Sequence, residues 1–404
     1  MNSEEIKSLA DKVLMKTYGR YDLALVRGEG AWVWDPEGKR YLDFVSGLAV
    51  ASLGHAHPGV AEAVARQART LVHTSNLYFT EPQVRLAQVL TENCFADRVF
   101  FCNSGAEANE AAIKLARKYS FDRYGEGRHR ILSMDKSFHG RTLTALAATA
   151  QPDKHVGFQP LPPGFSYLPF NDLKALKEAL TEDVCAVMIE PIQGEGGVNE
   201  ASKNYLRGLC QVCRSYDVLV VFDEVQVGMG RTGYLFAHQL YGVEPDIMCL
   251  AKALANGLPI GATLATDKVA QSFGPGTHAS TFGGTPLVTA AALVVLETML
   301  APGFLENVRT VGSYFKERLN GLKKKHAFVK DVRGQGLILA MELDFPGAKV
   351  VSGLMAKGFL INCIQTGVLR FLPPLTIGQA EVDRLMPALE ETLVEAAAAQ
   401  AKEL

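Results

Sequence analysis

Two apolar runs in the chain end in opposite charges. VLVVFDE (218–224) closes on Asp223 and Glu224, and DIMCLAK (246–252) closes on Lys252. Each run is nearly continuous and of strand length, the pattern of a strand buried on both faces. A carboxylate at the end of such a strand is costly without a cationic partner. A lysine held in a partly desolvated site suits amine nucleophile or base chemistry. Alone, the two residues read as a buried Asp–Lys ion pair. In parallel α/β sheets, however, ligands sit outside the carboxyl ends of the strands. Adjacent strand ends would then present Asp223 and Lys252 to one crevice.

Three further stretches turn that pair into a site. NSGAEANEAAIKLARKY opens a helix with Ser104, Gly105 and Ala106, and Ala108, Ala111, Ala112, Leu115 and Ala116 follow at helical spacing. Small residues there expose backbone N–H groups to a phosphate; an N-cap explains Ser104 but not the run. Phe138, after RILSMD (130–135), is placed to stack on a flat ring or to fill a core. STFGGTP (280–286) supplies the hydroxyls of Ser280 and Thr281 in a glycine-bearing loop, a second phosphate contact. A phosphate, a flat ring, an Asp and a Lys together describe pyridoxal 5'-phosphate. The carboxylate pairs with the protonated pyridine nitrogen, making the ring an electron sink, and the lysine carries the aldehyde.

Other motifs lead nowhere. GMGRTG (228–233) fits the dinucleotide fingerprint letter for letter. That fingerprint needs its first glycine directly after the strand and a helix at the third. Here residues 223–227 intervene and the next helical stretch starts late, so a tight loop with positive-φ glycines is expected. Cys210 and Cys213, the C-x-x-C pair, lie in a helical segment with no second pair and read as a buried helix face. His55 and His57 lack ligands at matching spacing and read as a turn before a helix near Pro58, so no metal is implied. A formal charge of -2 with no long basic run argues against nucleic acid. No apolar run spans a bilayer, and the polar start MNSEEIKSLADK has no signal-peptide core, so no membrane is expected. Seven cysteines, an odd number, suggest reduced thiols and a cytoplasmic protein.

The elements that must position these residues follow an α/β order. Strands are expected at 98–103, 130–135, 184–190, 218–224 and 246–251, alternating with helices, hence a mostly parallel central sheet with helices on both faces. The two ends of the chain form a smaller α+β lobe. Its N-terminal part is residues 1–50, the large domain is 51–300, and its C-terminal part is 301–404.

With these motifs quoted, the chain resembles the class III, or ω-, aminotransferases of fold type I, from about Tyr18 to Pro374. NSGAEANEAAIKLARKY, SFHGRT, EPIQGEGGV, DEVQVGMGRTG, LAKAL and STFGG carry the likeness. NLYFTEPQ, FHGRTLTALAATAQ and PGTHASTFGG bring it nearest to the acetylornithine aminotransferases of arginine biosynthesis. The resemblance implies that Lys252 forms the Schiff base and Asp223 partners the pyridinium. Gln226 would approach the phenolic oxygen, with Val225 behind the ring, Phe138 in front, and Glu224 counted with them in the cofactor site. Gly105 and Ala106 would hold the phosphate, and Thr281 would reach it from the other subunit of a homodimer with interfacial sites. Arg141 would grip the α-carboxylate of the N-acetylornithine donor, with Ser280 nearby from the partner chain, and Arg370 that of 2-oxoglutarate or glutamate. Glu195 would pair with Arg370 when the amine donor is bound. The implied reaction is a ping-pong transamination through the pyridoxamine form. Ala51, Ala279 and Thr285 depart from the family's usual residues, and Leu48 replaces a tyrosine of ornithine aminotransferases. Succinylornithine, acetyllysine, ornithine or 4-aminobutyrate remain alternative donors, and an aminomutase of the same fold a more distant alternative.

Overall fold

The structure, a computed structural model, describes residues 1–402. Its centre is a seven-stranded sheet in the order Arg98–Cys102, Gly261–Ala265, Ile247–Leu250, Leu219–Asp223, Val184–Ile189, Arg130–Met134, Phe165–Leu168. Gly261–Ala265 runs antiparallel to both neighbours, and the other pairings are parallel. Every residue of Val184–Ile189 and Leu219–Asp223 is buried, as continuous apolar runs require. Two strands escaped the sequence reading. GATLA is short and small, and FSYL (165–168) is a half-exposed edge without an apolar run.

The helix Gly105–Tyr124 buries Ala108, Ala111, Ala112, Leu115 and Ala116 against the sheet, and these small side chains let it lie close. Cys210 and Cys213 are buried on the inner face of Lys203–Ser215, and all seven cysteines are unpaired. His57 caps the helix Pro58–Thr70, accepting from Val60 N at 3.4 Å. Among the described residues no cluster of three or more His, Cys, Asp or Glu could hold a metal, and no single helix is long and apolar enough to cross a membrane.

The chain ends meet in one sheet. Arg27–Glu29, Trp32–Trp34 and Arg40–Asp43 form a meander completed by Phe359–Leu360, pairing parallel to Arg40–Asp43. A second, antiparallel sheet of Val329–Gln335, Ile338–Leu343, Val368–Phe371 and Asn362–Ile364 carries Arg370. The GMGRTG loop fastens these layers to the central sheet. Gly230 and Gly233 take φ of 81° and 84°, and the fully buried Arg231 donates to the carbonyls of Leu337 (3.0 Å) and Pro373 (2.5 Å) and to Ser52 Oγ (3.0 Å). Its glycines therefore serve a tight interlayer loop.

Candidate functional site

At the carboxyl ends of the central strands lies a cavity of about 400 Å³. Lys252, Asp223, Val225, Gln226, Gly105, Ala106, Phe138, Arg141 and Glu195 all line it. Residues separated by up to 147 positions thus converge because adjacent parallel strands end at one edge. Asp223 and Lys252 follow strands that pair directly, Leu219–Asp223 against Ile247–Leu250.

Asp223 is the best-supported side chain. Its Oδ2 accepts from Asn109 Nδ2 at 2.7 Å and is 2.8 Å from His139 Nδ1, while Oδ1 accepts from Val225 N at 3.0 Å. For His139, burial works against the proton, but the hydrogen bond and charge of Asp223, with Glu190, outweigh it and raise its pKa. Lys252 sits at φ 41° in the short turn that follows its strand. Burial lowers its pKa to about 8, against the opposing pull of Glu195, Asp223 and Glu190.

The phosphate-sized end is built from absent side chains. Ser104 caps the helix through Glu107 N, leaving the amides of Gly105 and Ala106 without helical partners. A Cβ on Gly105 would stand 2.7 Å from Val225 Cγ1, and one on Gly140 would stand 2.8 Å from Ala106 Cβ. Alanine at either position would push the helix start off the strand loops.

The two arginines differ. Arg370 is fully buried, and its Nη1 lies 2.8 Å from Glu195 Oε1 and 3.2 Å from Gln226 Oε1. Burial raises the pKa of Glu195, but Arg370 overcomes it and holds the carboxyl below its usual value. Gln226 Nε2 is buried and has no partner among the described residues, a donor left for a ligand. Arg141 is exposed, lies 5.5 Å over the Phe138 ring, and has no ion pair among the described residues.

Glu224 is placed elsewhere, and Ser280 and Thr281, expected at the neighbouring subunit's site, stand outside this cavity. Glu224 does not line the cavity: its carboxylate accepts from Ala237 N and His238 N (2.5 and 2.7 Å), capping the helix Ala237–Tyr241. Burial raises its pKa to about 8. This corrects its assignment to the cofactor site. Ser280 Oγ accepts from Asn103 Nδ2 (3.2 Å) and Gly283 N (3.0 Å), and Thr281 lies exposed; both border a separate hollow on the same subunit.

The sequence reading gave the supports no role. Asn109, His139 and Glu190 are buried polar residues at the rear of the cavity. Glu190 accepts from Phe138 N (3.0 Å) and Gly194 N (3.2 Å), and burial raises its pKa to about 7. Their one sequence signal was position: two follow strands, and Asn109 is an amide on an alanine face.

The donor set fits pyridoxal phosphate. There is a lysine whose pKa burial lowers to about 8, a carboxylate in a fixed cradle, Phe138 and Val225 on the cavity wall, amides without helical partners and an orphaned glutamine N–H. Known proteins agree with this reading. A relative from Caldanaerobacter subterraneus subsp. tengcongensis, named acetylornithine aminotransferase, is 52% identical over 95% of this chain and 98% of its own. One of the same name from Methanocaldococcus jannaschii is 50% identical over 98% and 99%. The solved ornithine aminotransferase of Toxoplasma gondii, with pyridoxal phosphate at partial occupancy in its active site, superposes with a TM-score of 0.94. It is 34% identical, covering 98% of this chain and 94% of that one. The aminotransferase class-III model matches residues 14–393, so the chain belongs to the class-III aminotransferases.

Proposed function

We propose that the protein transfers the δ-amino group of N2-acetyl-L-ornithine to 2-oxoglutarate, giving N-acetyl-L-glutamate 5-semialdehyde and L-glutamate, as a cytoplasmic homodimer. The observation that carries this reading is a pair of guanidiniums, Arg141 on the cavity wall and Arg370 buried behind Glu195, which lines the cavity and is paired with it. Two substrates that each carry an α-carboxylate, but differ in where the reacting carbon lies, need two such receptors. Arginine suits both, because its planar fork can make parallel hydrogen bonds to a carboxylate.

Bound pyridoxal phosphate supplies an electron sink for the carbon that bears the amine. Lys252 would hold it, with Asp223 at the ring nitrogen, Gln226 at the phenolic oxygen, Phe138 and Val225 on the ring faces, and Gly105 and Ala106 at the phosphate. Lys252 Nζ, whose pKa burial lowers to about 8, is freed when the donor's amine takes its place and then takes the proton from the amine-bearing carbon of the donor. Arg141 orients that donor by its distant carboxylate. When 2-oxoglutarate replaces it, Glu195 swings from Arg370 and the freed guanidinium receives the α-carboxylate.

The test is the visible spectrum of the purified holoenzyme. N-acetylornithine alone should bleach the cofactor band and 2-oxoglutarate should restore it, faster than with succinylornithine, acetyllysine, ornithine or 4-aminobutyrate as donor. A band that acetylornithine leaves unchanged would overturn the substrate. Arg141→Ala should raise KM for acetylornithine about 100-fold, the order expected for a lost charge-assisted pair. The glutamate half-reaction, measured separately by stopped flow, should move far less. An equal loss in both halves contradicts this division of labour.

The dimer rests on an exposed apolar strip beside the Ser280–Thr281 loop. Leu77, Tyr78, Phe79 and Phe282 are 83%, 69%, 98% and 60% exposed, and large apolar side chains exposed together mark interaction sites. Covering it with a second copy would bring Thr281 to the neighbouring cavity. Sedimentation velocity should give twice the 43.8 kDa chain mass. Phe79→Asp should yield monomers with little activity; a fully active monomer would refute the interfacial site.

A further inference from the structure

Four consecutive residues beside the cavity wind the wrong way. Ser46, Gly47, Leu48 and Ala49 have φ of 45°, 65°, 66° and 66°, a complete left-handed turn in which only one residue is glycine. L-residues visit this region singly, each at a cost. Such strain persists only where the surroundings over-determine it, and it gathers at functional sites.

The surroundings do over-determine it. Asp43, 4% exposed, accepts through Oδ1 from the backbone N–H groups of Val45 (2.8 Å) and Ser46 (2.9 Å), and its Oδ2 lies 2.8 Å from His55 Nε2. On the other side Ser46 Oγ donates to Leu372 O at 2.6 Å. Leu372 N donates to Phe44 O and Leu375 N to Ser52 O, each at 2.7 Å. Residues 372 and 375 continue the strand Val368–Phe371, which carries Arg370. Immediately after the turn, Val50 lines the cavity. One buried carboxylate thus anchors a strained turn whose far side is bonded to the chain running on from the substrate-binding arginine.

We propose that Asp43 is a positioning residue for the dicarboxylate substrate: it holds residues 46–49 left-handed, and that turn sets Val50 on the cavity wall and the register of the Arg370 strand. The proposal rests on the reading that Arg370 receives the α-carboxylate of 2-oxoglutarate. A merely stabilising role would let Asp43 variants melt earlier while binding dicarboxylates normally.

The experiment uses the holoenzyme and two readouts: KM and kcat of the 2-oxoglutarate half-reaction, and the Kd of glutarate, a dicarboxylate that cannot react. Asp43→Ala should raise KM and Kd about tenfold or more, the scale of a sub-ångström misplacement, with kcat little changed. Asp43→Asn keeps an oxygen for both N–H groups and should bind glutarate like the wild type. Adding Leu48→Gly to Asp43→Ala should recover much of the lost affinity, since glycine takes positive φ without help. If Asp43→Ala does not fold, Asp43→Ser, with one acceptor oxygen, should show an intermediate rise. Arg370→Lys is the reference. If it leaves glutarate affinity intact, the reading of Arg370 fails. If it weakens glutarate while the Asp43 variants only lower Tm, or if Leu48→Gly restores nothing, the positioning role of Asp43 is overturned alone.

Discussion

Lys252→Ala leaves no measurable transamination, a fall of at least about 10⁴-fold, the scale seen when the central group of a catalytic unit is removed. No other lysine lines the cavity, so among the described residues nothing replaces its amine. The variant should keep its circular dichroism spectrum, because the surrounding strands Leu219–Asp223 and Ile247–Leu250 are held by pairing and apolar burial independent of the side chain. The pH dependence follows from the same environment. Burial lowers Lys252 to about 8 from 10.5, so the free amine becomes the main form as pH rises through about 8. Apoenzyme should therefore capture pyridoxal phosphate at a rate that climbs with pH and levels off above about 8, followed by the visible band. A plateau reached only near 10.5 would mean that the lysine is solvated like any surface amine. The sign for stability agrees. The unfolded chain holds this proton over the window between the two values and the folded chain does not, so the group's contribution to apoenzyme stability rises with pH from about 8 to 10.5. Full turnover by Lys252→Ala would remove the assignment altogether.

The catalytic pair and the large sheet were legible because burial leaves a strong imprint on composition. Strands such as Val184–Ile189 are apolar at every position, and the charged residue that ends such a run stands out. The antiparallel Gly261–Ala265 carries no such imprint, and the later loop at 280–286, rather than the strand, attracted notice. The supports of Asp223 were hidden for a different reason. Asn109, His139 and Glu190 act through contacts between segments 30 to 114 residues apart, and nothing in the spacing of one segment reports what another offers it. Glu224 misled because it neighbours Asp223 in sequence, whereas successive strand residues face opposite sides of a sheet. Asp223 faces the cavity, so the next carboxylate turns away to cap Ala237–Tyr241. The left-handed turn at 46–49 was invisible altogether: one glycine in four does not announce a positive-φ run, which is imposed by Asp43 and by residues more than 300 positions away.

Asp223→Asn should lower kcat about 10³-fold, the upper range for loss of one preorganised electrostatic group in a dry site. The size of the effect comes from a cradle built for an anion. All three hydrogen-bond partners of Asp223 are donors: Asn109 Nδ2, the protonated Nδ1 of His139 and Val225 N. An asparagine must turn its own NH₂ toward at least one of them, so the substitution removes a charge and leaves a donor facing a donor. His139, whose proton is retained chiefly through Asp223 and which has no partner for its buried Nε2 among the described residues, loses that hold as well. Asp223→Glu keeps the anion while displacing it and should lose less than Asp223→Asn; His139→Asn, which alters the cradle but leaves the carboxylate, should lose less again. The ordering separates the two readings of this residue. If Asp223 were only the partner of Lys252 in a buried ion pair, Asp223→Asn would shift the lysine's titration and the melting temperature yet leave kcat within about tenfold. A deep loss of kcat with the cofactor band still formed places the carboxylate at the ring nitrogen, because only there does its charge act on the reacting electrons rather than on the lysine that hands over the proton.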